Sequence, residues 1–134
     1  MRRLLPCLLL FLAACSQGQR LDFGGGGTDA QVQILADAPS VELSLWEGAI
    51  PFDLRDYNDW IQGHIPGART ATLEDLRKGR GLPEDKEAPL LFLGEGPMDT
   101  RPEQAAEIAL SLGYSNVQLF PGGWRAWIGA HPLR

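Results

Sequence analysis

The chain has 134 residues, of which 44% are hydrophobic and 22% charged, and a formal charge of −5 at pH 7. That length holds one compact domain and leaves no room for two. The acidic balance excludes nucleic acid as the expected partner. The densest positive cluster, Arg77, Lys78 and Arg80, lies among Glu74, Asp75, Glu84 and Asp85 and reads as a solvated surface.

The amino-terminal segment differs from everything after it. Arg2 and Arg3 precede an apolar stretch at 4–14 broken only by Pro6, and Cys15 follows. This is the pattern of an export signal, and it is shorter than the ~20 apolar residues a membrane-spanning helix needs. Leu12-Ala13-Ala14-Cys15 resembles the lipobox of bacterial lipoproteins. There the cysteine is acylated, the peptide before it is cut off, and the new amino terminus is acylated too. The resemblance implies a signal peptide over 1–14 and a lipid, palmitate among its chains, on Cys15; an ordinary signal peptide with an incidental cysteine is the alternative. Two or more acyl chains anchor stably, since each buried CH₂ contributes ~0.8 kcal/mol. Ser16 rather than an aspartate follows Cys15, which in similar lipoproteins directs the protein to the outer membrane, facing the periplasm. Losing the leader removes Arg2, Arg3 and Cys7, so the mature chain carries a charge of −7 and one cysteine. No internal disulfide can form in it, and the fold is expected to rest on its hydrophobic core.

Residues 15–30 include four consecutive glycines at 24–27 and read as a flexible tether. A phosphate-binding loop is disfavoured there, because the Gly-Lys-Ser/Thr ending is missing. The domain itself is expected over 31–134. Two apolar-polar runs, 31–36 and 41–46, alternate as strands do, although helix is not excluded. Residues 50–54 read as a buried strand, and 56–62 as a short helix turning Tyr57, Trp60 and Ile61 inward. Gly63, Pro66 and Gly67 then force a loop. Residues 73–78 suit another short helix, and 79–88 a polar connection to Pro89. The fully apolar run Leu90-Leu91-Phe92-Leu93 is expected as a central parallel strand.

Beyond the loop at 94–99, the spacing of Ala105, Ala106, Ile108, Ala109 and Leu112 predicts a helix ending at Gly113. Thr100 and Glu103 have the spacing of a capping box, with Pro102 as an alternative mark of the first turn. Residues 117–120 form the next strand, and Gly122-Gly123 leads into a last helix carrying Trp124 and Trp127. Alternating strands and helices imply an α/β fold, a mostly parallel sheet with helices on both faces.

Several segments then match one family together. Phe52-Asp53-Leu54-Arg55, Asp59-Trp60, Gly63-His64-Ile65-Pro66-Gly67-Ala68, Gly113-Tyr114 and Pro121-Gly122-Gly123-Trp124-Arg125-Ala126-Trp127 resemble, in order and spacing, the signature segments of rhodanese-like domains, the small α/β domain of sulfurtransferases. In active members resembling this chain, the strand equivalent to 90–93 runs into a loop that opens with a nucleophilic cysteine wrapped in backbone N–H groups. Aligned amides and a helix dipole there favour a thiolate and then a persulfide. Here the strand is followed by Gly94, Glu95, Gly96, Pro97, Met98, Asp99, Thr100 and Arg101. Counting from the strand places the cysteine at Gly94, and counting back from the helix places it at Gly96; neither is a nucleophile, and the loop is about two residues longer than its relatives'.

No residue of the loop is therefore assigned a catalytic role, because sulfur transfer needs a thiolate and glycine, serine or threonine cannot replace it. The eight loop residues remain a candidate ligand-binding segment. Arg101 matches a position where active members carry a substrate-contacting arginine, while Glu95 and Asp99 read as solvated carboxylates that oppose anion binding. His64 reads as structural support rather than a metal ligand, Asp53 and Arg55 as internally bonded, and Trp60, Trp124 and Trp127 as packing residues. Neither metal nor cofactor is expected. The expected role is a membrane-tethered, catalytically silent binding module with an envelope protein as partner. The competing expectation is a domain that binds a small sulfur oxyanion and borrows a partner's thiol.

Overall fold

The computed structural model describes residues 31–132 and the backbone pairing of Arg20 and Leu21. The expected leader, Cys15 and the glycine run at 24–27 lie outside the described residues. Eleven elements follow in chain order: β1 (Arg20–Leu21), β2 (Val32–Ile34), α1 (Ala38–Trp46), β3 (Ile50–Asp53), α2 (Tyr57–Gln62), β4 (Arg69–Thr70), α3 (Leu73–Arg77), β5 (Leu90–Leu93), α4 (Arg101–Ser111), β6 (Val117–Phe120) and α5 (Gly123–Ala130).

The sheet runs in the order β1-β2-β6-β5-β3-β4. Every pair is parallel except β1 with β2, which is antiparallel and brings Arg20 and Leu21, within the expected tether, into the sheet. β5 lies inside the sheet between β3 and β6, and all four of its residues are buried, as a parallel strand covered on both faces requires. Its side chains alternate between two cores. Leu90 and Phe92 pack with Phe52, Leu119, Leu76 of α3 and Ala105, Ala106 and Ala109 of α4. Leu91 and Leu93 pack on the opposite face with Phe120, Val41 of α1, Ile65 and Trp127 of α5.

Three expectations are corrected. Residues 41–46 are not a strand but most of α1. Asp37 caps that helix by accepting from the Ser40 N–H at 2.9 Å, and Pro39 sits in the first turn, where its missing N–H costs nothing. The buried face is Ala38, Val41 and Ser44, so the apparent alternation was misleading. Ser44 is a buried polar residue hydrogen-bonded to Gln118 of β6, whereas Leu43 and Trp46 are exposed. In α2, Tyr57 and Ile61 point to solvent rather than inward, at 56% and 57% exposure; the helix docks through Trp60, whose Nε1–H donates to the Ala68 carbonyl at 2.9 Å. In α4, Thr100 makes no side-chain cap, so the capping box with Glu103 does not form, and Pro102 occupies the first turn.

Candidate functional site: the loop after the central strand

β3, β5 and β6 all end on the same edge of the sheet, the carboxyl edge where open parallel sheets place their sites. The loop 94–100 leaves β5 at the middle of that edge. α5 holds it from one side: the Trp124 N–H donates to the Gly94 carbonyl at 2.9 Å and the Arg125 N–H to the Glu95 carbonyl at 3.0 Å. The fit requires glycine at 123. Its φ is +60°, and an added Cβ would stand 2.5 Å from the Gly94 carbonyl oxygen and 2.9 Å from the Gly96 nitrogen.

Within the loop the Asp99 carboxylate collects the donors. It accepts from the Glu95 N–H at 3.0 Å, the Arg101 N–H at 3.1 Å, and Arg101 Nε and Nη2 at 2.9 and 2.7 Å. Its side chain is only 9% exposed, so the expectation of a solvated carboxylate is overturned. The Arg101 guanidinium holds the Asp99 carboxyl well below its ordinary range, at about 2, with help from the two amides and against the opposing effect of burial. Arg101 also approaches Asp56 at 3.6 Å, and its own pKa is raised, chiefly by the hydrogen bond to Asp99. The unfavourable position of an arginine at a helix amino terminus is thus offset by a bidentate carboxylate partner.

The remaining loop residues lie around this pair. Glu95 turns its side chain outward to Arg125, 3.4 Å away. Pro97, Met98 and Thr100 are exposed, Met98 at 93%. The two candidate cysteine positions are distinguished by direction. A Cβ on Gly94 would head into the donor cluster, 2.2 Å from Asp99 Oδ2, whereas one on Gly96 would meet the aliphatic part of Arg125 at 3.4 Å. Gly94 is the residue that faces the Asp99 carboxylate and its donors.

The other signature residues build the wall. Arg55 donates to Asp53 from its backbone N–H at 3.0 Å and from Nη2 at 2.8 Å, to the Gly63 carbonyl at 2.7 Å, and its guanidinium lies 4.6 Å from the Trp124 ring centre. This buried pair ties the end of β3 to the 63–68 loop and to α5. His64 stacks on Trp60 with ring centres 4.5 Å apart, and its Nδ1 lies 2.8 Å from the Trp60 carbonyl. No three His, Cys, Asp or Glu side chains come together as a metal cluster among the described residues.

The Rhodanese-like domain model matches residues 37–130. The chain belongs to the rhodanese-like family. Thiosulfate sulfurtransferase GlpE of Pseudomonas putida (strain GB-1) is 30% identical over 96 residues, covering 69% of this chain and 82% of that protein. The rhodanese domain-containing protein CG4456 of Drosophila melanogaster is 31% identical over 114 residues, 75% and 93% of the two chains. Among solved structures, the human single-domain sulfurtransferase TSTD1 superposes with a TM-score of 0.60 at 25% identity, covering 70% of this chain and 94% of that one. The chain is thus a rhodanese-like domain related to sulfurtransferases, and the α/β architecture expected from its motifs is the one it has.

Sequence reasoning missed the role of Asp99. A signal for it was present: Asp99-Thr100-Arg101 repeats the Asp-x-Arg spacing of Asp53-Leu54-Arg55, and in both places the aspartate accepts from the N–H and the guanidinium of the arginine two residues on.

Proposed function

We propose that this rhodanese-like domain does not transfer sulfur and serves as a binding module held at the periplasmic face of the outer membrane by a lipid on Cys15. The observation that carries the first half is the residue at the seat. Gly94 faces the donors that would stabilise a thiolate, it has no side chain, and the only cysteines of the chain are Cys7 and Cys15. Lipidation of Cys15 would consume the one thiol left after leader removal. The lipobox-like Leu12-Ala13-Ala14-Cys15 supports the tether.

The framework around the altered loop is complete, with a buried Arg55–Asp53 pair and a continuous two-faced core. Such a scaffold presents the surface around the loop rigidly to an envelope protein partner. The test is fractionation with crosslinking in the host. The wild type should be in the membrane fraction, carry labelled palmitate and crosslink to one stoichiometric partner, while Cys15→Ala loses the label and leaves the membrane. Unchanged labelling and membrane retention of Cys15→Ala would refute the anchor. Crosslinking with no defined partner would refute the binding role.

A further inference from the structure

Four donors at the loop, two backbone amides and two guanidinium nitrogens, share one acceptor. The Glu95 N–H, the Arg101 N–H and the Arg101 guanidinium converge on one point, and that point is occupied by a carboxylate of the same chain. The position of the carboxylate is equally telling. Asp99 Oδ2 lies 2.2 Å, and Cγ 2.7 Å, from where a Cβ on Gly94 would be, closer than real Cβ contacts allow. Asp99 therefore fills the volume that a side chain at position 94 would occupy.

We infer that Asp99 is the resident anion of this loop, an autoinhibitory contact in which a carboxylate five residues along the chain takes the place of a side chain at Gly94 and keeps external oxyanions out. The inference deepens the preceding reading and rests on it for the location of the site; its test reads occupancy of the seat and not sulfur transfer. Three consequences follow from the geometry. An incoming anion would have to displace a carboxylate held by two amides and a bidentate guanidinium, and tethered a few residues away at high effective concentration. Acidification does not release it in the neutral range, because the carboxyl is held down to about 2. Positions 94 and 99 are interlocked, because the overlap of a Cβ at 94 is severe with the Asp99 carboxylate, at 2.2 Å, and only tight with Pro102, at 3.1 Å.

The experiment follows the Glu95 and Arg101 amide resonances of the full mature chain during titration with sodium sulfate and, separately, sodium formate. In the wild type neither salt should move these resonances saturably. In Asp99→Gly both amides should shift saturably with formate, which restores a carboxylate to the vacated seat, and the unfolding temperature should rise along the same curve. The interlock is read by a double-mutant cycle: Gly94→Ala should destabilise the wild type clearly and Asp99→Gly less, the remaining cost coming from Pro102 Cγ, 3.1 Å from the added Cβ in both backgrounds. Saturable shifts in the wild type with either anion would overturn the inference. So would additive effects of Gly94→Ala and Asp99→Gly. The wild-type titration needs no variant and can overturn the inference even if Asp99→Gly does not fold.

Discussion

Gly94 and Asp99 compete for one volume: the carboxylate of the second stands where the side chain of the first would project. Around that relationship the domain retains the scaffold of a sulfurtransferase, with the central strand, the donor-rich loop and the two helices that hold it. Gly94 carries no side chain, and the space one would need is taken by the Asp99 carboxylate.

A thiol introduced at position 94 should reflect the competition. In Gly94→Cys the sulfur meets Asp99, and alkylation kinetics should give a thiol pKa above the ordinary ~8.5, with reduced stability, because the like charge opposes ionisation. In Gly94→Cys/Asp99→Gly the same donors serve the thiolate, and the pKa should fall below that value. Equal values in the two backgrounds would count against the seat assigned here.

The pH dependence of stability isolates Asp99. Its carboxyl is lowered from an ordinary 3.8 to about 2 in the folded state, so its contribution is fully present above 3.8 and is lost as pH falls toward 2. Allowing for its partial exposure, the contribution is about 1–2 kcal/mol. Urea unfolding of wild type and Asp99→Asn should differ by roughly this amount at pH 6 and converge near pH 2. Asp37 and Asp75, whose pKa values are also lowered, are common to both proteins and cancel in the comparison.

The Arg55–Asp53 pair is buried, with side chains 3% and 0% exposed. Arg55→Ala leaves the Asp53 carboxylate without its partner and should cost about 3–5 kcal/mol. Arg55→Lys keeps the charge but cannot serve Asp53 and Gly63 while stacking on Trp124, and should lose most of the same stability. Equilibrium denaturation measures both.

Two glycines with positive φ should behave differently. Gly113, φ +92°, ends α4 in open space, and Gly113→Ala should cost about 1 kcal/mol from backbone conformation alone. Gly123, φ +60°, also abuts the loop backbone, and Gly123→Ala should cost about 3 kcal/mol as strain and overlap combine. Thermal melts of the two variants give the order directly.

The parts of the fold that were legible in the sequence are those where burial alone decides. Leu90 to Leu93, short, apolar throughout and bounded by turn residues, is the buried strand it was expected to be, and the helical spacing of Ala105, Ala106 and Ala109 is met by a single packed face. Residues 41–46 misled because Ser44, read as a solvent position, is buried against Gln118, while Leu43 and Trp46 are exposed. Tyr57 and Ile61 misled because a helix as short as α2 docks through one side chain, Trp60, and leaves its other apolar residues outside. The signature segments around Asp53, Gly63 and Gly123 located the site. The spacing of Asp99 and Arg101 signals their pairing, but where the carboxylate sits depends on how the loop folds back against β5, a tertiary outcome that spacing alone does not state.

If, as proposed, no residue of this domain accepts a transferable sulfur atom, thiosulfate leaves the protein unmodified. The most direct measurement is the intact mass of the purified mature protein after incubation with thiosulfate, before and after addition of cyanide. An unchanged mass and no thiocyanate beyond the buffer control are expected. A gain of one sulfur atom that cyanide removes as thiocyanate would contradict the proposal.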